Sequence, residues 1–115
     1  MKPISKIFTV YLVVLFLLLA STSFSQIVVT HFNAEWNNPN KVKYIGELTD
    51  CDIVYVDIAV APKLQAKHEI IVVPTIVIFS DGEEVKRYQA DLSFKMLATR
   101  DEIQNYIDEL IMSQF

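Results

Sequence analysis

The run Ile27-Val28-Val29-Thr30-His31-Phe32-Asn33 is nearly continuous in apolar and β-branched side chains. Successive residues of a strand point to opposite faces, so a half-exposed strand alternates apolar with polar. A run without that alternation suits a strand covered on both sides, in the middle of a sheet flanked by helices. This requirement constrains the remaining segments. Ile53-Val54-Tyr55-Val56-Asp57-Ile58 reads as a second buried strand, and Thr75-Ile76-Val77-Ile78-Phe79 as a third. Ser80-Asp81-Gly82-Glu83 is a hairpin turn in which Gly82 is free to take positive φ. Glu84 to Gln89 then alternates as a half-exposed edge strand does.

The segments between these strands carry helical signals. Ala34 to Asn38 reads as a loop, with Asn38 as a cap and Pro39 in the first helical turn, where its missing N–H is harmless. Val42, Ile45 and Leu48 recur at spacing three and predict a short helix ending near Leu48. Pro62 opens another short helix, carrying Leu64 and reaching about His68. Thr99-Arg100-Asp101-Glu102 is a capping box, followed by Ile103, Tyr106, Ile107 and Leu110 at helical spacing. The order β-α-β-α-β-β-α gives one parallel crossover pair, an antiparallel hairpin and a closing helix. That is an α/β sandwich with a mixed sheet and helices on both faces. A chain of 115 residues without repeat, linker or charge block makes one domain.

The fold is expected to begin after residue 25. Lys2 and Lys6 precede an apolar run from Ile7 to Ala20, and small residues stand at Ser23 and Ser25. This is the pattern of a secretory signal peptide over residues 1–25, leaving a domain over 26–115 that is exported to a periplasm or secreted. The stretch Ile7–Phe24 is also long enough to span a bilayer if it is not cleaved, the one route to a membrane that the sequence offers. Residues 26–115 keep eight basic and fourteen acidic side chains, a balance of −6 that argues against nucleic acid or anionic lipid as partner. The single cysteine, Cys51, excludes an intramolecular disulfide and a cysteine-only metal site. His31 and His68 lack metal-ligand spacing, and no phosphate loop, serine elbow or catalytic carboxylate pair is present, so neither metal nor cofactor is expected.

Three stretches together resemble the thioredoxin family. Phe32-Asn33-Ala34-Glu35-Trp36 is similar to the segment leading into that family's active-site loop. Val56-Asp57-Ile58 through Lys67-His68-Glu69 to Val73-Pro74-Thr75 matches a strand, a helix and the cis-proline motif, and Phe79-Ser80-Asp81-Gly82-Glu83 matches its hairpin. They cover residues 27 to 90. The resemblance implies a thioredoxin-like three-layer sandwich with a mixed sheet, a parallel pair and a C-terminal antiparallel hairpin. It also implies a cis Val73–Pro74 bond. At the active loop the chain departs from the family: Cys-Gly-Pro-Cys is replaced by Asn37-Asn38-Pro39-Asn40. Thiol–disulfide exchange needs an attacking thiolate and a second, resolving thiol, and a neutral amide supplies neither. The family's buried aspartate corresponds here to His31. The helix after the loop is shorter than the family's, and the connection Ala90–Ala98 is longer.

Three functional classes follow. The first is a redox-inactive module, with no catalytic residue, that binds an extended peptide or protein partner through Trp36, Asn37, Asn38, Pro39, Asn40, Val73 and Pro74. The second is a thiol–disulfide oxidoreductase or redox-homeostasis protein acting through Cys51 alone. Cys51 lies at the amino end of its strand, about 20 Å from the loop at the carboxyl end of the neighbouring one, too far to act with Trp36 or Pro74. The third is an accessory subunit whose fold supports an assembly. Asp50-Cys51-Asp52 converges on no ion, because adjacent strand side chains diverge.

Overall fold

Strand β1 (Ile27–Asn33) is central: β2 (Asp52–Asp57) pairs with it in parallel and β3 (Thr75–Ser80) antiparallel. The computed structural model describes residues 26–115, and the signal-peptide assignment to residues 1–25 lies outside the described residues. β4 (Glu83–Gln89) joins β3 antiparallel and completes the order β2-β1-β3-β4. The β3–β4 turn holds Asp81 and Gly82 at φ 52° and 84°, the doubly left-handed geometry whose twist suits a two-residue hairpin.

Each face of the sheet has its own core. Val29, Ile76 and Ile78 pack with Val42, Ile45 and Leu48 from the loop segment, and with Ile103 and Ile107 of helix α2 (Arg100–Met112). Thr99 caps that helix by accepting the Glu102 N–H on its Oγ1 at 3.2 Å. On the other face Phe32 and Val77 pack with Ile70 and Val73, which follow helix α1 (Pro62–Lys67). His68 links α1 to that core, its ring 5.6 Å from Phe32 and 5.3 Å from Phe79. This is an α/β sandwich with a mixed sheet, one parallel pair and a C-terminal antiparallel hairpin, as the resemblance implies.

Two local readings are corrected. The predicted helix from Asn38 to Leu48 is replaced by two 3-10 segments, Glu35–Asn40 and Ile45–Glu47. Asn38 does not cap, since the first segment starts from Ala34. The physical reason is at Val42, whose N–H donates to His31 Nε2 at 3.2 Å instead of to a carbonyl one turn back. Spacing three is the repeat of a 3-10 helix, so Val42, Ile45 and Leu48 still share one buried face. The second correction concerns β2, which is a sheet edge and not a buried strand, with Tyr55 64% exposed. A β-branched run marks strand, but its position within a sheet depends on neighbours that the run itself does not encode.

Candidate functional site

The carboxyl end of β1 runs through Ala34 into the first 3-10 segment, which bends at Asn37 (φ −106°, ψ 16°) and ends at Pro39-Asn40. Asn37 is 3% exposed and sits inside a chain of amides. Its Nδ2 donates to Asn33 Oδ1 at 3.0 Å and to the Val73 carbonyl at 3.3 Å. Its Oδ1 accepts from Asn40 Nδ2 at 3.0 Å, and its own carbonyl accepts from Asn33 Nδ2 at 3.3 Å. A buried amide needs both donors and acceptor engaged, and this arrangement engages them. The Val73–Pro74 bond that receives the loop is cis. Thr75 closes that turn by donating its hydroxyl to the Val72 carbonyl at 2.5 Å.

The structure divides the expected binding residues into two groups. Asn37, Val73 and Pro74 are buried and form the floor. Trp36, Asn38 and Pro39 are exposed, with Asn40 between the two groups. The Val73 carbonyl, a group that an incoming chain would pair with, already receives the Asn37 amide. Two contributors were not anticipated. Asn33 anchors the amide chain from within β1, and Phe94 stands edge-on to Trp36, ring centroids 5.3 Å apart at 87°. Ala90 donates to the Pro74 carbonyl at 3.0 Å, so the connection leaves directly from the proline turn and folds back over the indole. The Asp91 carboxylate holds that fold by accepting from the Ser93 and Lys95 N–H groups. The apolar residues Leu92, Phe94, Met96 and Leu97, dense for a connecting loop, were the available signal.

Behind the loop His31 is 4% exposed and meets Tyr55 edge-on at 5.7 Å. Burial holds its pKa below the usual value, helped by the charge of Lys41 and opposed by a backbone hydrogen bond of its own. It is therefore neutral near pH 7, with Nε2 as acceptor. An open groove of about 530 Å³ lies beside it, bordered by Asn38, Lys41, Tyr55 and Asp57. At the opposite end of the parallel pair Cys51 precedes the Val28–Asp52 register position. Burial raises its pKa, and the carboxylates of Asp52 and Asp50 raise it further, so it rests as a thiol. Among the described residues no group of three or more His, Cys, Asp or Glu side chains could hold a metal ion.

No protein-family model matches the chain. Over 69 residues it is 33% identical to a thioredoxin of Chlamydia trachomatis serovar D, a match covering 55% of this chain and 68% of that one. The chain belongs to the thioredoxin family. Among solved structures, a mutant thioredoxin from Halobacterium salinarum superposes with TM-score 0.59 at 26% identity, covering 78% of this chain and 79% of the other. Thioredoxin 1 of Thermosipho africanus gives 0.57 at 21% identity over 75% and 96%, which speaks to the fold alone. As a thioredoxin-family member the chain is set apart by its single cysteine, which lies away from the loop where Asn37 and Asn40 stand.

Proposed function

We propose that this thioredoxin-family chain is an exported, redox-inactive module that binds an extended peptide or protein partner beside its cis-proline turn. The observation that carries the reading is the Asn37 amide, buried where the family keeps a reactive cysteine and hydrogen-bonded to the Val73 carbonyl. An amide there preserves the contact between loop and proline turn and removes the nucleophile. Trp36, 63% exposed and backed by Phe94, offers a large amphipathic surface on a fixed support. Tryptophans at interface centres often contribute ~2 kcal/mol or more to binding. Asn38 and Pro39 extend the surface, while Asn37, Asn40, Val73 and Pro74 hold it in place.

Two measurements test the reading. Reduction of insulin-type disulfides by the protein with excess external reductant is expected at background, unchanged in Cys51→Ser. Turnover that vanishes in Cys51→Ser would instead support an oxidoreductase acting through that thiol. Chemical-shift mapping with extended peptides or exported-protein fractions is expected to move Trp36, Asn38 and Phe94. Binding that survives Trp36→Ala unchanged overturns the assignment of the surface.

A further inference from the structure

Both outer strands of the sheet are edges, and they are built differently. β4 carries Glu83, Glu84, Lys86 and Arg87, and its pairing with β3 shifts register between Ile78 and Phe79. Charge and irregularity are the usual means by which an edge is kept from recruiting another strand. β2 has neither between its terminal aspartates. Ile53-Val54-Tyr55-Val56 is uncharged, its register with β1 is unbroken, and Val54 and Tyr55 are 44% and 64% exposed. Among the described residues no strand pairs with its outer side.

The backbone of β2 shows which groups are on offer. Ile58, just past the strand, donates its N–H to the Asn33 carbonyl of β1 at 2.9 Å. In a parallel ladder the N–H and C=O of one residue face the same neighbour, and successive residues alternate sides. Counting back from Ile58, Val56, Val54 and Asp52 face β1. Ile53 and Tyr55 therefore direct their N–H and C=O away from it. The carbonyl of Asp57 is already taken by the N–H groups of Val60 and Ala61. Two residues with outward backbone groups at spacing two are what an added strand uses.

We propose that the outer edge of β2 takes up an extended peptide that is positively charged at the end lying beside Asp50 and Asp52. Both aspartates are exposed, and among the described residues the ion pairs are Glu84–Arg87 and Arg100–Asp101, so neither is neutralised by a cation. The balance of −6 over residues 26–115 disfavours a second copy of the chain at this edge and favours a basic strand. Past Tyr55, the groove beside His31 is lined by Lys41 and Lys43 as well as Glu35 and Asp57, and this balanced lining suits an uncharged side chain of the docked peptide. The inference rests on β2 and not on Trp36, and the groove shares Asn38 with the surface beside the cis-proline turn.

The test uses the full chain and labelled peptides in which two lysines precede or follow Thr-Val-Thr-Val-Thr, with glutamate counterparts, read by fluorescence anisotropy. At least one lysine peptide is expected to bind, and its glutamate counterpart at least about tenfold more weakly. Amide hydrogen exchange is expected to slow at Ile53 and Tyr55 when the peptide is added. Tyr55→Pro, which deletes an outward N–H at a position where an edge tolerates proline, is expected to abolish binding, whereas Tyr55→Thr retains it. Trp36→Ala is expected to leave this binding unchanged. Equal binding of lysine and glutamate peptides, no added protection at Ile53 and Tyr55 in the unmodified chain, or self-association through β2 each overturns the proposal.

Discussion

The side-chain amide of Asn37 donates to the Val73 carbonyl at 3.3 Å, joining the loop after β1 to the cis-proline turn across 36 positions of sequence. The same nitrogen also donates to Asn33 Oδ1. A cysteine thiol has one weak donor and could not hold both acceptors. The amide thus does more than remove a nucleophile: it fastens the loop between a central strand and the proline turn, and leaves Trp36 projecting from a fixed base. Function by contact follows more readily from such a loop than function by exchange.

Asn37→Ala should therefore destabilise the fold. It leaves Asn33 Oδ1 and the Val73 carbonyl with one partner fewer in a buried place, a loss of roughly 1–3 kcal/mol. Asn37→Asp should be at least as damaging, because it turns two acceptors toward a third and buries a charge. Urea unfolding is expected to show a lower midpoint with an unchanged denaturant slope in both variants.

Stability should also fall below pH 6.5 because of His31. Burial depresses its folded pKa below the usual 6.5, so just under that pH the unfolded chain binds a proton that the folded chain refuses. The contribution is complete above 6.5 and is lost as pH falls toward the folded pKa. The slope is at most about 1.4 kcal/mol per pH unit, that of one proton. His31→Gln keeps an acceptor for the Val42 N–H and does not titrate, so its urea midpoints between pH 5 and 7 should be flatter than those of the unmodified chain.

Much of the fold was legible because period and punctuation agreed. Ile27–Asn33 is a central strand with the expected ends, and Thr99 caps α2 where the capping box stands. The segment after Pro39 departs from the expected helix for an identifiable reason. Spacing three fits an α-helix and a 3-10 helix alike, and nothing local indicates that His31, eleven residues earlier, captures the Val42 N–H. The site was legible in identity and not in orientation. The motif located Trp36, Asn37 and Pro74, but whether an asparagine faces solvent or a carbonyl 36 residues away depends on tertiary contact. Phe94 was missed for the same reason, since a left-handed residue (φ 64°) in a connecting loop has no periodic signal.

Cys51 should react slowly with alkylating agents at neutral pH. Burial and the flanking carboxylates of Asp52 and Asp50 raise its pKa, which keeps the thiolate fraction small. Iodoacetamide labelling at pH 7.5 is expected to lag behind a free cysteine peptide and to match it once the chain is unfolded in urea. Asp52→Asn should speed labelling of the folded chain several-fold, by removing one of the two charges that oppose the thiolate. Equal rates in the folded chain and the peptide would show that the fold does not suppress the thiolate, and a faster rate in the folded chain would show that Cys51 is an activated thiol.

The single tryptophan makes the Trp36–Phe94 contact directly measurable. An indole 63% exposed should emit at long wavelength and be readily quenched by acrylamide. Phe94 covers one side of it edge-on, a geometry worth about 0.5–1.5 kcal/mol beyond the area it buries. Phe94→Ala is expected to raise the quenching constant and to lower the unfolding midpoint only by the worth of this one contact, because Phe94 itself is 40% exposed and belongs to neither core. Asp91→Ala should produce the same change in quenching without touching either ring, since the Asp91 carboxylate accepts the N–H groups of Ser93 and Lys95 that set the turn around Phe94. If both variants quench like the unmodified chain, Phe94 does not support the indole, and the proposed binding surface reduces to Trp36, Asn38 and Pro39. If both increase quenching and also weaken partner binding, the long connection after β4 belongs to the site as much as the loop after β1 does.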